Sequence, residues 1–264
     1  MKYIDERAPA EPNVFTDGAM SNPSCQLWSL LGVGIWWPGR KYIDHELSHQ
    51  ELKYSSGNKE TNEGVQLWAC MKGYRGSSTR AEIAAIILAM MTPRAIHVAT
   101  DSSSAKHGFD TLLNYLLYDD LRDKNKPHYE EWPMGKNWSL LNDGDLWHQA
   151  WTLMVQRGQA SMRITKVKGH ARDIDVEQSD VLKVFKTGND IADLAADEGL
   201  ESNGDGKASY GSYLHRRQKQ YVKLVEEIQT MVLEVLKLSI EKREQRNKSE
   251  DPIKKYHGKK KEKS

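Results

Sequence analysis

The chain has 264 residues, with 38 Lys/Arg against 37 Asp/Glu and a formal net charge of +1. That length holds one domain of ordinary size plus an appendage, and two cysteines, Cys25 and Cys70, exclude a disulfide framework and point to a reducing, intracellular setting in the nucleus or cytoplasm. Its longest apolar stretch, Leu27 to Trp37, is too short and too interrupted by glycine to span a bilayer, and Met1–Pro12 is charged without an apolar core, so neither a membrane partner nor a secretory signal is expected.

After an N-terminal arm (1–12), strand signals come first. Asn13–Asp17, Leu27–Trp37 and Val65–Tyr74 carry aromatic and β-branched residues bounded by Gly, Pro and Ser. Arg40 to Glu63 is polar and charged, and reads as a long loop or a frayed hairpin tip. Ile83, Ile86, Ile87 and Met90 recur at helical spacing in Thr79–Met91, which Pro93 ends. Ala95–Thr100 reads as a short buried strand and Ser102–Tyr118 as a helix. The interval 119–143 is polar and broken by Pro127 and Pro133; Trp132 and Trp138 there could either grip a sugar-phosphate backbone or anchor the loop to the core. Asp145–Gln156 reads as a helix, Met162–Lys166 as the last strand and Gly188–Leu200 as a helix capped by Asn189. This order predicts an α/β domain over 13–200. Its mixed five-stranded sheet is an antiparallel meander joined to two parallel strands by helical crossovers, flanked by helices.

Residues 201–212 are rich in Gly, Ser, Asn and Asp and read as a linker. A long amphipathic helix follows over 213–247, then a lysine-rich disordered tail over 248–264. In the helix Leu224, Ile228, Met231, Val235 and Leu238 fall at alternating four- and three-residue steps. Two heptads are too few for a coiled coil, so packing back onto the domain is preferred over oligomerisation through this helix. From Ser212 onward 15 Lys/Arg face 8 Asp/Glu, while the rest holds 23 against 29. An acidic body is unusual for a nucleic-acid binder, since phosphate neutralisation supplies much of the affinity.

Four carboxylates carry the chemical signal: Asp17 in Val-Phe-Thr-Asp-Gly, Glu82 in Ser-Thr-Arg-Ala-Glu, Asp101 in Ala-Thr-Asp-Ser, and Asp193 in Gly-Asn-Asp-Ile-Ala-Asp-Leu-Ala. Each ends a strand-like run or opens a helical one. Local readings exist for all four: a turn at Asp17, a capping box from Thr79 to Glu82, a helix cap at Asp101, and a dipole partner at Asp193. If the fold joins them instead, four carboxylates share one pocket and cannot all ionise without a compensating cation. Hard divalent ions take oxygen ligands and act on phosphate esters.

In order and spelling these strings resemble the type 1 ribonuclease H family from about Val14 to Leu200, together with Val167-Lys168-Gly169-His170-Ala171 and Asp145-Leu146-Trp147. The resemblance implies the ribonuclease H-like fold and an endonuclease that hydrolyses the RNA strand of RNA–DNA hybrids by two-metal-ion cleavage. It implies two Mg2+ ions, with Mn2+ as a substitute, and products with 5′-phosphate and 3′-hydroxyl ends. Asp17 would bridge the ions, Asp193 would hold the one that activates water, and Glu82 and Asp101 the one at the leaving oxygen. Asp190 is a decoy on this alignment, and His170 would assist proton transfer or product release. Asn22, Ser78, Thr79 and Asn189 are candidate substrate contacts. A catalytically silent, retroelement-derived domain that binds hybrids is the alternative, and the intact acid set argues against it.

Overall fold

The computed structural model describes residues 4–23, 25, 27–71, 76–117, 133–177 and 182–258, with side chains described to residue 249. In chain order the elements are β1 (Val14–Met20), β2 (Leu31–Pro38), α1 (His49–Tyr54), β3 (Gly57–Glu60), β4 (Gly64–Met71) and α2 (Ser78–Ala89). There follow β5 (Ile96–Thr100), α3 (Ser103–Leu117), α4 (Gly144–Arg157), β6 (Met162–Lys166), α5 (Asp173–Glu177), α6 (Lys183–Glu201) and α7 (Asp205–Gly258). The chain divides into two units, Met1–Ser212 and Tyr213–Ser264.

The first unit is a mixed sheet in the order β3-β4-β2-β1-β5-β6. β1, β2 and β4 form the antiparallel meander, with Asp17 opposite Gly34. β5 runs parallel to β1 and β6 parallel to β5, in a register that sets Thr16, Thr100 and Lys166 side by side. The sheet therefore has six strands where the sequence predicts five. The sixth, β3, lies inside the segment read as a loop and pairs antiparallel with β4. It lacks an apolar face, so hydropathy does not reveal it. The same segment also folds α1, whose Ser48 and Glu51 form a reciprocal capping box. Arg40 grips the buried Glu51 carboxylate with two guanidinium nitrogens at 2.6 and 3.1 Å.

Strand alternation sorts the core onto two faces. Val14, Val33 and Ile35 pack with Ile83 and Ile86 of α2 in the larger cluster, which Phe109 and Trp147 of α3 and α4 extend. Phe15, Trp36 and Ala99 face the other way and meet Ala192 of α6. That face is lined by small residues. A Cβ at Gly32 or Gly34 would overlap the backbone of Ala192 or Ala196, and one at Gly188 would overlap the Phe15 ring. Backbone against backbone is how α6 reaches β1 and β2. Asn203 then fixes its end, donating from Nδ2 to Leu31 O at 3.1 Å and to Leu200 O at 2.9 Å. The N-terminal arm runs along the domain, with Ile4 N–H donating to Arg157 O and Ala8 N–H to Ala160 O.

Two helical boundaries depart from expectation. α6 starts at Lys183, so Asn189 lies inside the helix rather than capping it. Of the 201–212 segment only Ser202-Asn203-Gly204 separates α6 from α7, with Gly204 in the left-handed region at φ +91°. α7 continues to Gly258, through residues read as disordered. Lys, Glu, Arg and Gln are good helix formers, and composition alone does not reveal this. Residues 259–264 and Trp132 lie outside the described residues. No described helix is long and apolar enough to cross a membrane.

Substituting Gly34→Ala drives a methyl into the Ala192 and Ala196 backbone, which cannot rotate away. The expected cost is about 1–3 kcal/mol of unfolding free energy, the usual range for overpacking. Urea denaturation against wild type measures it.

Candidate active site

The parallel register that aligns Thr16 with Thr100 puts Asp17 and Asp101 at the next level of neighbouring strands. Glu82 comes from the first turns of α2. Gly18 permits that approach, because a Cβ there would lie 2.7 Å from Glu82 N and the Ala81 backbone. Ser77, not Thr79, caps α2, its Oγ accepting from Arg80 N–H at 3.0 Å. Glu82 is thus released from the capping box and faces the sheet. Ser102 likewise caps α3, accepting from Ala105 N–H at 3.2 Å, which leaves Asp101 uncommitted. One carboxylate oxygen from each of Asp17, Glu82 and Asp101 lies within 4.8 Å of the others.

Crowding in a buried setting shows in the titration of these acids. Burial, then the Asp17 and Asp101 charges, push the Glu82 carboxyl far above the usual range. Asp17 is raised by burial and by Asp101, with a smaller push from Asp193. Asp101 is raised by burial, while His170 and Lys166 pull it down. Asp193 is thus close enough to act on Asp17 and Asp101, though it stands outside the 4.8 Å group. Asp190, one turn away on α6, pairs with Lys186 at 2.7 Å instead. Glu82 Oε2 is buried with no hydrogen-bond partner. An orphaned oxygen among crowded carboxylates is a donor set suited to a hard divalent cation.

The loop after β6 closes over Asp101. A Cβ at Gly169 would overlap the Asp101 carboxylate, so the loop backbone lies directly against that side chain. The next residue, His170, is exposed and sits in the left-handed region at φ +46°. Asp175 fixes the loop, accepting from Lys168 Nζ and from Arg172 N–H, both at 2.8 Å. No pattern in the sequence marks Asp175, and Arg80 there is only part of a string. Arg80 joins α2 to the start of α4, donating to Asp143 at 3.1 Å and to Asp145 at 2.8 Å. Asp143 adopts φ +55° there.

The four residues singled out as substrate contacts stand in different settings. Asn22 turns the chain out of β1 at φ +50°. Ser78 is exposed and Thr79 half-buried on the first turn of α2. Asn189 is 2% exposed with Oδ1 buried and unpartnered, so it presents no open face to a substrate. Trp138 packs against the core and stacks on His148 at 5.5 Å, which makes it a loop anchor.

A mixed sheet carrying this acid cluster at its central strands defines the ribonuclease H-like class of α/β proteins. The RNase H family pattern matches residues 9–201, and the chain belongs to that family, whose general activity is nucleolytic cleavage of RNA–DNA hybrids. No curated protein sequence matches. Among solved structures, the solution structure of the PFV RNase H domain is 19% identical over 71% of this chain and 92% of its own, with a TM-score of 0.44. A foamy viral protease-reverse transcriptase in complex with dsDNA is 17% identical over 76% of this chain and 98% of its own, at 0.41. LC9-RNase H1, described as a type 1 RNase H with the type 2 active-site motif, is 12% identical over 74% and 75%, at 0.42.

Raised carboxyls give a definite sign to pH dependence. Folding favours their protonated forms, so the cluster's contribution to stability is full below about pH 4, the ordinary carboxylate range, and is lost as pH rises through the raised values. Metal-free protein is expected to melt lower at pH 8 than at pH 5, by about 2–4 °C for each kcal/mol of repulsion. Glu82→Gln narrows that gap, and Mg2+ restores the melting temperature at pH 8 while displacing protons. Thermal melts with Mg2+ or with chelator check both.

Proposed function

We propose that the chain is an endonuclease hydrolysing the RNA strand of RNA–DNA hybrids, leaving 5′-phosphate and 3′-hydroxyl ends. The observation that carries this reading is the Asp17–Glu82–Asp101 group, mutually within 4.8 Å in a chain of the RNase H family. Asp17, Glu82, Asp101 and Asp193 would hold two divalent ions, Mg2+ or in substitution Mn2+. When bound, such a pair supplies an activated water and charge stabilisation at the leaving oxygen.

The protein's own contribution is position and proton handling. Asp17, grouped with Asp101 on the neighbouring strand and Glu82 on α2, would help hold both ions. Asp193, outside that group, would help hold the ion that serves the attacking water. His170 stands on an exposed turn whose charge reaches Asp101, and from there would assist proton transfer or product release. Only RNA carries a 2′-hydroxyl, so strand choice depends on donors and acceptors along the hybrid's minor groove. Asn22, Ser78 and Thr79, outside the cluster, are the proposed contacts. The two unpaired cysteines suit a reducing compartment.

Incubation with an end-labelled hybrid and Mg2+ tests the reading. Wild type should cut only the RNA strand, and Asp17→Asn should lose cleavage while still binding hybrid. Binding with no cleavage by wild type would point instead to the silent domain.

A comparison within α6 and the histidine loop is sharper. Asp193→Asn should be nearly inactive, whereas Asp190→Asn, which loses only a partly exposed ion pair, should keep most activity. His170→Ala should slow turnover by about 10²–10⁴-fold, the range for general acid–base groups, and leave metal-dependent stabilisation unchanged. Single-turnover rates from pH 6 to 9, with thermal melts in Mg2+, measure these effects.

A further inference from the structure

The turn from Lys168 to Arg172 has His170 at its centre, and one side chain holds both of its ends. Asp175, on α5 and 5% exposed, accepts from Lys168 Nζ through Oδ1 and from Arg172 N–H through Oδ2, each at 2.8 Å. Arg172 also brings Nε to 3.6 Å from Oδ2. The bond to the Arg172 amide is half of a capping box. Asp175 is the third residue of α5, it reaches back to the residue before the helix, and its own N–H returns to Arg172 O at 2.9 Å. A cap needs only one oxygen. The other goes to Lys168 at the far end of the turn, so the strand side and the helix side are tied through a single carboxylate.

The turn has reason to be tied. His170 sits at φ +46°, a backbone region unfavourable for a residue with a Cβ. Gly169 beside it lies with its backbone against the Asp101 carboxylate. Rotation at either residue moves the imidazole relative to the acid cluster, and an exposed side chain has little packing to bring it back. Other charges on α5 do not share this task. Asp173 is 92% exposed and reaches Lys186 of α6 at 3.6 Å, a surface pair of little strength. We propose that Asp175 is a positioning residue for His170, holding the turn in the geometry that proton transfer or product release requires. This rests on the role given to His170 above.

A double-mutant cycle on the full chain with hybrid and Mg2+ tests this. Asp175→Ala should lower kcat by about 10–100-fold, the scale of a small misplacement, with KM and the Mg2+-dependent rise in melting temperature unchanged. Combined with His170→Ala it should be no slower than His170→Ala alone, because residues acting as a unit are not additive. Asp175→Glu should recover most of the rate, since Glu brings two acceptor oxygens to the same capping position. Asp173→Asn should match wild type. A wild-type rate for Asp175→Ala, beside a slow His170→Ala, overturns the inference alone. So does an equal loss with and without His170, which would mean that Asp175 acts elsewhere. A His170→Ala variant at full rate, or a wild type that does not cut, removes the earlier reading and this inference with it. If Asp175→Ala does not fold, Lys168→Gln carries the same cycle, because it cuts the tie and leaves the cap. Amide exchange reads the tie without activity: Arg172 N–H should exchange faster in Asp175→Ala than in wild type, and equal rates overturn the tie.

Discussion

Like charge held at close range is the constraint to which the rest of the first unit answers. Carboxylate oxygens of Asp17, Glu82 and Asp101 lie within 4.8 Å of one another. At an effective dielectric of 20, each fully ionised pair at that separation repels by about 3–4 kcal/mol. A typical hydrogen bond contributes a net of about 1 kcal/mol, so no single contact offsets this. Protons occupy the site in the absence of a cation, and the surrounding backbone must resist the tendency to spread.

Resistance is supplied at both ends of α2, by unequal means. At its start Arg80 bridges to Asp143 and Asp145 in a partly exposed pair that contributes modestly. At its end Arg157, fully buried on α4, donates to the carbonyls of Met90, Thr92 and Arg94. Burial lowers the Arg157 pKa to about 10, which still leaves it charged at neutral pH. The Met90 and Thr92 carbonyls are bonded in a buried setting away from water, so the buried contact is the stronger anchor. Glycine does the complementary work on the strand side. Gly18 and Gly34 let the backbones of α2 and α6 come directly against the strands that carry the site.

Much of this was legible from residues in order. The meander and the two parallel strands follow from hydrophobic alternation, and the four acids stand out because each closes a recognisable string. What escaped was held by polar contacts across the chain. Ser48-x-x-Glu51 spelled a capping box in the open, yet the segment read as loop because β3 beside it has no apolar face. Thr79 looked like the cap of α2, but Ser77 takes that place, and only the capping contact to Arg80 N–H distinguishes them. Asn189 reads as the cap of a helix over Gly188–Leu200, but α6 begins at Lys183. Gly188 is there for contact with Phe15, not to begin a helix. Asp175 and Arg157 could not be found by pattern, since their partners are backbone groups or side chains fixed by the fold.

The short edge strand carries a consequence remote from catalysis. β3 ends the sheet with four residues, and Asn58, Lys59 and Glu60 along it are exposed. Open sheet edges recruit strands from other molecules, and nature blunts them with brevity and charge. A foreign strand docking here finds a ladder only four residues long, and must desolvate an ammonium and a carboxylate to use it. A strand with no apolar face therefore guards β4 and β2 behind it against intermolecular sheet growth.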